Sequence, residues 1–105
     1  MTETERRLEL QTKLENVLGS SNVYFQPPET MKLKYPCIIY SKNAYPGRYA
    51  DDIVYKAKQN YSLTVVDSDP DSEIHYNIQK AFQYCRVDSY YRSNNLNHTK
   101  LTLYY

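Results

Sequence analysis

Apolar residues recur at helical spacing in two parts of the chain, and each pattern predicts an amphipathic helix. The first helix is predicted over residues 2–18, with acidic residues in its first turn and Gly19 as its stop. Its apolar stripe consists of Leu10, Leu14, Val17 and Leu18. The second helix is predicted to start with Asp69 as N-cap and Pro70 in the first helical position. Its apolar stripe consists of Ile74, Ile78, Ala81, Phe82 and Cys85.

Five further runs are rich in β-branched or aromatic residues and predict strands. They cover residues 23–26, 35–40, 55–67, 87–91 and 99–105. The third run alternates between apolar and polar residues, as expected of a strand with one buried face. The last two flank a polar segment that is typical of an antiparallel hairpin. The order α-β-β-β-α-β-β predicts a single α+β domain over 1–105, with two helices on one face of a mainly antiparallel sheet.

The charge balance disfavours one class of function. Lysine and arginine number 13 against 12 aspartates and glutamates, which leaves a formal charge of +1. A dedicated duplex-DNA binder carries a basic excess, which this chain lacks. The chain has no apolar run of membrane-spanning length, and residues 1–5 lack the basic start of a signal peptide. These features predict a protein made in a cytosol, with Cys37 and Cys85 as buried thiols and not as a disulfide.

The sequence lacks the motifs of the common catalytic and ligand sites. Gly19 and Gly47 are the only glycines, which excludes glycine-rich phosphate loops. The acidic segment 67–73 begins like a calcium loop, but Ser72 and Ile78 stand where that loop needs glycine and glutamate. The two histidines and the two cysteines have no metal-binding spacing. We therefore predict no catalytic residue, no cofactor and no metal site, and we assign the acidic segment to the start of the second helix.

Two other functions remain as alternatives. A small nuclease could use Asp51, Asp52 or Asp67 as metal ligands together with a strand lysine, Lys56 or Lys58. A single-stranded nucleic-acid binder could stack bases on tyrosines exposed on the sheet. The first alternative lacks a diagnostic motif. The second lacks a basic groove and the glycine-aromatic signature of the common RNA-binding sheet.

Tyrosine supplies 13 of the 15 aromatic residues, and this excess points to contacts with partners. Interfaces are enriched in tyrosine because its rigid ring is apolar and its hydroxyl is polar. Part of the excess is also explained by the preference of tyrosine for strands. The predicted contact surfaces are the long segment 41–53 and the outer sheet face, where alternation places Tyr90 and Tyr104. The predicted interface residues are Tyr45, Arg48, Tyr49, Asp51, Asp52, Tyr90 and Tyr104.

Several segments, taken in chain order, resemble those of a known family of structural proteins. They are the helix ending at Leu18-Gly19, the segments 23–28, 33–40 and 61–67, and the closing strands, with Tyr-Pro-Cys-Ile-Ile-Tyr at 35–40, Asp-Pro-Asp-Ser-Glu-Ile at 69–74 and Asn-Leu-Asn-His at 95–98. Together they resemble the tail terminators of long-tailed bacteriophages of the lambda type, and more generally phage neck and tail-completion proteins. The resemblance covers nearly the whole chain, and it brings no catalytic residue with it.

The resemblance implies a role in the virion, after assembly in the cytoplasm of a bacterial host. It implies a homohexameric ring that caps the tail tube, with the tail tube protein and a head-completion (stopper) protein as partners. DNA would pass through the lumen of this ring without sequence-specific contacts, which the near-neutral charge favours. Because the chain is short for a terminator, a stopper or another neck component is the alternative within the same group.

Overall fold

The computed structural model of the protein describes residues 2–43 and 59–105. This part of the chain forms two helices and five strands in the predicted order α-β-β-β-α-β-β, which confirms the α+β class. The elements are α1 (Glu3–Leu18), β1 (Val23–Phe25), β2 (Cys37–Lys42), β3 (Asn60–Asp67), α2 (Ile74–Ala81), β4 (Cys85–Ser93) and β5 (Leu96–Tyr104).

Both ends of α1 are stabilised by local contacts, and the predicted stop at Gly19 is confirmed. The Thr2 hydroxyl accepts a hydrogen bond from the N–H of Glu5 at 3.1 Å, and the Glu5 carboxylate accepts one from the N–H of Thr2. These contacts hold the pKa of the Glu5 carboxyl below its usual value. Gly19 ends the helix at a φ of 82°, a left-handed conformation that glycine adopts without strain, and its N–H donates to the carbonyl of Glu15.

The five strands form one sheet in the order β1-β2-β3-β5-β4. β1 is parallel to β2, and all other neighbouring strands are antiparallel. Paired residues point to the same side of a sheet, so Tyr40, Leu63 and Leu101 share one face. We call this face, which the two helices cover, the inner face, and the opposite one the outer face.

The hydrophobic core lies between the helices and the inner face. Leu10 and Leu14 of α1 and Ile78 of α2 are fully buried there. The core residues of the strands are Val23, Ile38, Tyr40, Tyr61, Leu63, Val65, Leu101 and Leu103. The predicted apolar stripe of α1 and the predicted buried side of β3 are therefore confirmed for these positions.

The start of α2 differs from the prediction. The helix begins at Ile74, after Glu73, which makes no side-chain capping hydrogen bond. Asp69 is not the N-cap, because its carboxylate accepts the N–H of Asp71 at 2.9 Å and so stabilises a turn ahead of the helix. Aspartate is equally suited to a helix start and to such a turn, which is why Asp69-Pro70 was wrong as a helix boundary.

The end of α2 also differs from the prediction. The last helical residue is Ala81, and Phe82 already has extended backbone with φ −123° and ψ 137°. Phe82 is still buried in the core, whereas Cys85 begins β4 instead of ending the helix. An apolar residue at the end of a helical stripe cannot be distinguished by pattern from one at the start of a strand. The predicted end of α2 was therefore placed too late in the sequence.

β4 and β5 form the predicted hairpin, which is closed by the two-residue turn Asn94-Asn95. These asparagines have φ values of 54° and 63°, the positive values that a type I′ turn requires. A β-bulge in β4 inserts Asp88 between Val87 and Ser89, whose partners are adjacent on β5. The bulge shifts the alternation of every later residue of β4 by one position.

This shift corrects the predicted position of Tyr90. Regular alternation from Val87 would place Tyr90 on the outer face. Because of the extra residue, Tyr90 pairs with Thr99, which in turn pairs with the buried Val65, and its side chain lies on the inner face. Tyr104 lies on the outer face, as predicted.

Neither cysteine forms a disulfide, as predicted. Cys37 is fully buried and Cys85 is half-buried. Burial raises the pKa of each thiol from 9.0 to about 11, and for Cys85 the Asp88 carboxylate acts in the same direction. Burial likewise raises the pKa of the Tyr40 and Tyr61 hydroxyls. Burial therefore favours the neutral form of all four groups.

We expect the free energy of unfolding to fall as the pH rises from about 9 to about 11, the window between the usual and the raised thiol pKa values. The unfolded chain releases thiol protons at the lower pH, whereas the folded protein keeps them, so stability is full below this window and declines through it. Urea unfolding at a series of pH values measures the decline. The Cys37→Ala variant should decline less steeply, and equal slopes for variant and wild type would contradict the assignment.

Candidate interaction surface

The tyrosines in the described part of the chain divide between core and surface. Tyr40 and Tyr61 are each only 1% exposed, and their rings meet edge to face at 5.8 Å. Tyr90 and Tyr91 are adjacent in sequence and are 65% and 47% exposed. Exposed tyrosines are frequent in interaction sites, because covering their rings removes apolar surface from water.

Tyr90 and Tyr91 lie on β4, the strand at one edge of the sheet. Every residue from Asp88 to Ser93 is exposed. In the described part of the chain, no strand pairs with the outer side of β4. We call residues 89–93, which follow the bulge and read Ser-Tyr-Tyr-Arg-Ser, the β4 edge.

The hydrogen bonds of the hairpin determine which backbone groups of the β4 edge point away from the sheet. The N–H of Tyr104 donates to the carbonyl of Tyr84 at 2.9 Å, so the backbone groups of Tyr104 point toward β4. Counting back along β5 from Tyr104, every second residue points its backbone groups toward β4 in the same way. One of these residues is His98, the partner of Tyr91. Tyr90 and Arg92 alternate with Tyr91 and therefore direct their N–H and C=O groups outward.

Aromatic contacts orient the two tyrosine rings on opposite faces of the β4 edge. On the inner face, the ring of Tyr90 meets His75 of α2 edge to face, with centroids 5.7 Å apart. On the outer face, Tyr91 stacks on His98 at 4.6 Å with an angle of 15° between the rings. The Nδ1 of His98 donates to the carbonyl of Leu96 at 3.2 Å, which fixes the orientation of the imidazole. The β4 edge thus presents aromatic surface on both sides of the sheet.

An open groove of about 340 Å³ lies beside the β4 edge, between the hairpin and the turn that precedes α2. Asp67, His75 and Arg92 are among the residues that line it. The Asp67 carboxylate accepts the N–H of Asp69 at 3.1 Å and so belongs to the local turn. Within residues 2–43 and 59–105, no three histidine, cysteine, aspartate or glutamate residues come together to hold a metal ion.

The opposite edge of the sheet is short and partly covered. β1 has only three residues. The N–H of Ile38 in β2 donates to the carbonyl of Asn22, the residue before β1. Because backbone groups alternate in direction along a strand, the next residue, Val23, directs its carbonyl away from β2. The Nε2 of Gln11 in α1 donates to this Val23 carbonyl at 2.9 Å. α1 therefore takes up one of the backbone groups that the short β1 edge would otherwise offer to another strand.

The structure places the predicted interface residues as follows. Tyr90 and Tyr104 lie on opposite faces of the sheet, and the partner of Tyr90 on β5 is Thr99, five residues from Tyr104. The structure therefore does not bring these two tyrosines together. The Tyr104 hydroxyl accepts a hydrogen bond from Asn60 Nδ2 at 3.5 Å. The predictions that lie outside the described residues are Tyr45, Arg48, Tyr49, Asp51 and Asp52, and also Lys56 and Lys58 of the nuclease alternative.

Sequence reasoning missed Tyr91 and Arg92, which belong to the β4 edge. Their position on an edge strand depends on the order of strands in the sheet, and no local pattern encodes that order. The signal that points to them is the run Ser-Tyr-Tyr-Arg-Ser at 89–93, which does not alternate between apolar and polar residues and leads directly into a polar turn.

Comparison of the chain with protein-family models, with curated proteins and with solved structures finds no match. Among the described residues, neither helix is long and apolar enough to span a bilayer. The features of this chain that bear on its function are therefore its α+β fold and the β4 edge.

Proposed function

We propose that this protein is a structural subunit that works by assembly, in the role of a phage tail terminator. In this role it forms a ring that caps the tail tube and joins the tube to the stopper protein of the head–neck connector. The observation that carries the proposal is the β4 edge, an exposed strand edge with two adjacent exposed tyrosines. The resemblance of the sequence segments to tail terminators supplies the particular role.

The β4 edge has the chemistry of a protein contact surface. Unpaired backbone groups at the edge of a sheet pair readily with another chain. Tyrosine and arginine are among the residue types that supply most of the binding energy of interfaces, and the edge carries Tyr90, Tyr91 and Arg92 in succession. The formal charge of +1 gives the chain little attraction for phosphates, which suits a ring through which DNA passes.

The test combines the purified protein with the tail tube protein of the same phage. We expect rings that cap tube ends in electron micrographs, and we expect the double variant Tyr90→Ala/Tyr91→Ala to bind tube ends at least about tenfold more weakly, because buried interface tyrosines commonly contribute more than about 1 kcal/mol each. The Tyr76→Ala variant is the matched control, since Tyr76 is 54% exposed but lies on α2. A wild-type protein that remains monomeric and leaves tube ends uncapped would overturn the proposal.

A further inference from the structure

We propose that the β4 edge of the free protein pairs with the β4 edge of a second copy, about a two-fold axis at Tyr91. This inference rests on the proposed function in taking the β4 edge as the contact surface, and it names the occupant of that surface before assembly. An exposed edge is a hazard, because it pairs with any extended chain that it meets. Proline and lysine commonly protect such edges, and residues 89–93 contain neither.

The two sheet edges of the described chain differ in what they offer a second copy. At the β1 edge, Gln11 already donates to the outward carbonyl of Val23. At the β4 edge, the outward groups of Tyr90 and Arg92 have no strand beside them in the described part of the chain. Pairing of two copies through their sheets therefore joins β4 to β4, and identical edges meet in antiparallel orientation about a two-fold axis.

The outward backbone groups, the charges and the bulge together select one register. Hydrogen bonds across the new interface require outward residues opposite outward residues, which allows a two-fold axis at Tyr90, Tyr91 or Arg92. An axis at Arg92 places two guanidinium groups directly opposite each other, which is unfavourable. An axis at Tyr90 brings the bulged residue Asp88 into the ladder, where regular pairing is interrupted. An axis at Tyr91 avoids both problems.

The register centred on Tyr91 is complementary along its whole length. Tyr90 of each copy lies opposite Arg92 of the other, and these two pairs exchange main-chain hydrogen bonds on both sides of the axis. Paired side chains share a face, so each guanidinium reaches the exposed ring of the opposite Tyr90 and contributes a cation–π contact. At the axis, the two Tyr91 rings meet in a non-hydrogen-bonded pair, where opposing side chains are closest. No like charges lie opposite each other between residues 89 and 93.

The two-fold pair is distinct from the contacts of the assembled ring. A closed ring of one kind of subunit uses head-to-tail contacts between two different surfaces, whereas the β4 pair uses the same surface on both copies. The pair therefore opens when the β4 edge binds its partner in the ring. Until then it covers the backbone groups and tyrosines that would otherwise promote aggregation.

Sedimentation velocity over a dilution series tests the inference on the isolated protein. We expect wild type to show a monomer–dimer equilibrium. Tyr90→Arg should raise the dimer dissociation constant at least about tenfold, because it places a second guanidinium opposite Arg92. Tyr90→Glu removes the same ring but places a carboxylate opposite Arg92, so its dimer should remain. The double variant Tyr90→Arg/Arg92→Glu should restore the dimer, and thermal unfolding shows whether each variant is folded.

Two outcomes overturn the inference. One is a wild-type protein that is monomeric at every concentration, and the other is an equal change of the dissociation constant in Tyr90→Arg and Tyr90→Glu, which would exclude this register. The proposed function is judged separately by capping of tail tubes. A monomer that caps tubes contradicts only the two-fold pair, and a dimer that never caps them contradicts only the proposed function.

Discussion

The Leu14→Ala variant is expected to lose about 2–5 kcal/mol of its free energy of unfolding. Leu14 is fully buried, and it joins α1 to the core on the inner face of the sheet. Truncation removes apolar contacts and leaves a cavity, because the neighbouring strands are held in register and relax only partly. A small domain is stable by only about 5–15 kcal/mol, so the loss is a large share of the total. Urea unfolding followed by circular dichroism measures it.

Leu8→Ala is the matched control for this prediction. Leu8 lies on the same helix but is 50% exposed, and the substitution changes helix propensity by the same small amount. Its effect should stay within about 0.5 kcal/mol, the usual range for surface positions. Similar losses in both variants would mean that the apolar stripe of α1 does not pack against the sheet as described.

The parts of the fold that the sequence predicts correctly are those that depend on local chemistry. The stripe of α1, its stop at Gly19 and the alternation in β3 are each readable within a few residues. Their confirmation follows from the periods of the two backbones, 3.6 residues for a helix and 2 for a strand. The hairpin is also predicted by a local feature, since the two asparagines of its turn tolerate positive φ.

The parts that the sequence predicts wrongly are those in which two local solutions compete. Asp69 can cap a helix or stabilise a turn, and it does the second. Cys85 fits a helical stripe and a strand equally well, and pairing with Leu103 decides for the strand. The bulge at Asp88 has no sequence signature of its own, yet it moves Tyr90 from the outer face to the inner face.

The candidate site was only partly accessible from the sequence for a related reason. Composition singles out tyrosine, and Tyr90 is exposed. Composition does not tell which strand forms the edge of the sheet, because strand order results from long-range pairing. Tyr91 and Arg92 acquire their significance only when β4 is known to be the edge and the direction of its backbone groups is known.

The Tyr40→Phe variant is expected to lose about 1–3 kcal/mol of unfolding free energy, the cost of leaving buried polar groups unpaired. Tyr40 is 1% exposed, and its hydroxyl donates to Gln11 Oε1 at 2.6 Å while it accepts from Arg7 Nη1 at 3.3 Å. Gln11 in turn donates to the Val23 carbonyl. The single hydroxyl thus connects β2 to α1 and positions the amide that covers the β1 edge. Urea unfolding of the purified variant gives the loss.

Tyr76→Phe removes the same hydroxyl from an exposed ring on α2 and should change stability by less than about 0.5 kcal/mol. A double-mutant cycle of Tyr40→Phe with Gln11→Ala isolates the contact between the two side chains, and we expect a coupling energy of about 0.5–3 kcal/mol. Equal effects of Tyr40→Phe and Tyr76→Phe, with no coupling to Gln11, would show that the hydroxyl does not hold the helix to the sheet. Tyr40 would then not position the Gln11 amide against the Val23 carbonyl at the β1 edge. This result would weaken the proposal that two copies pair through β4 and not through β1.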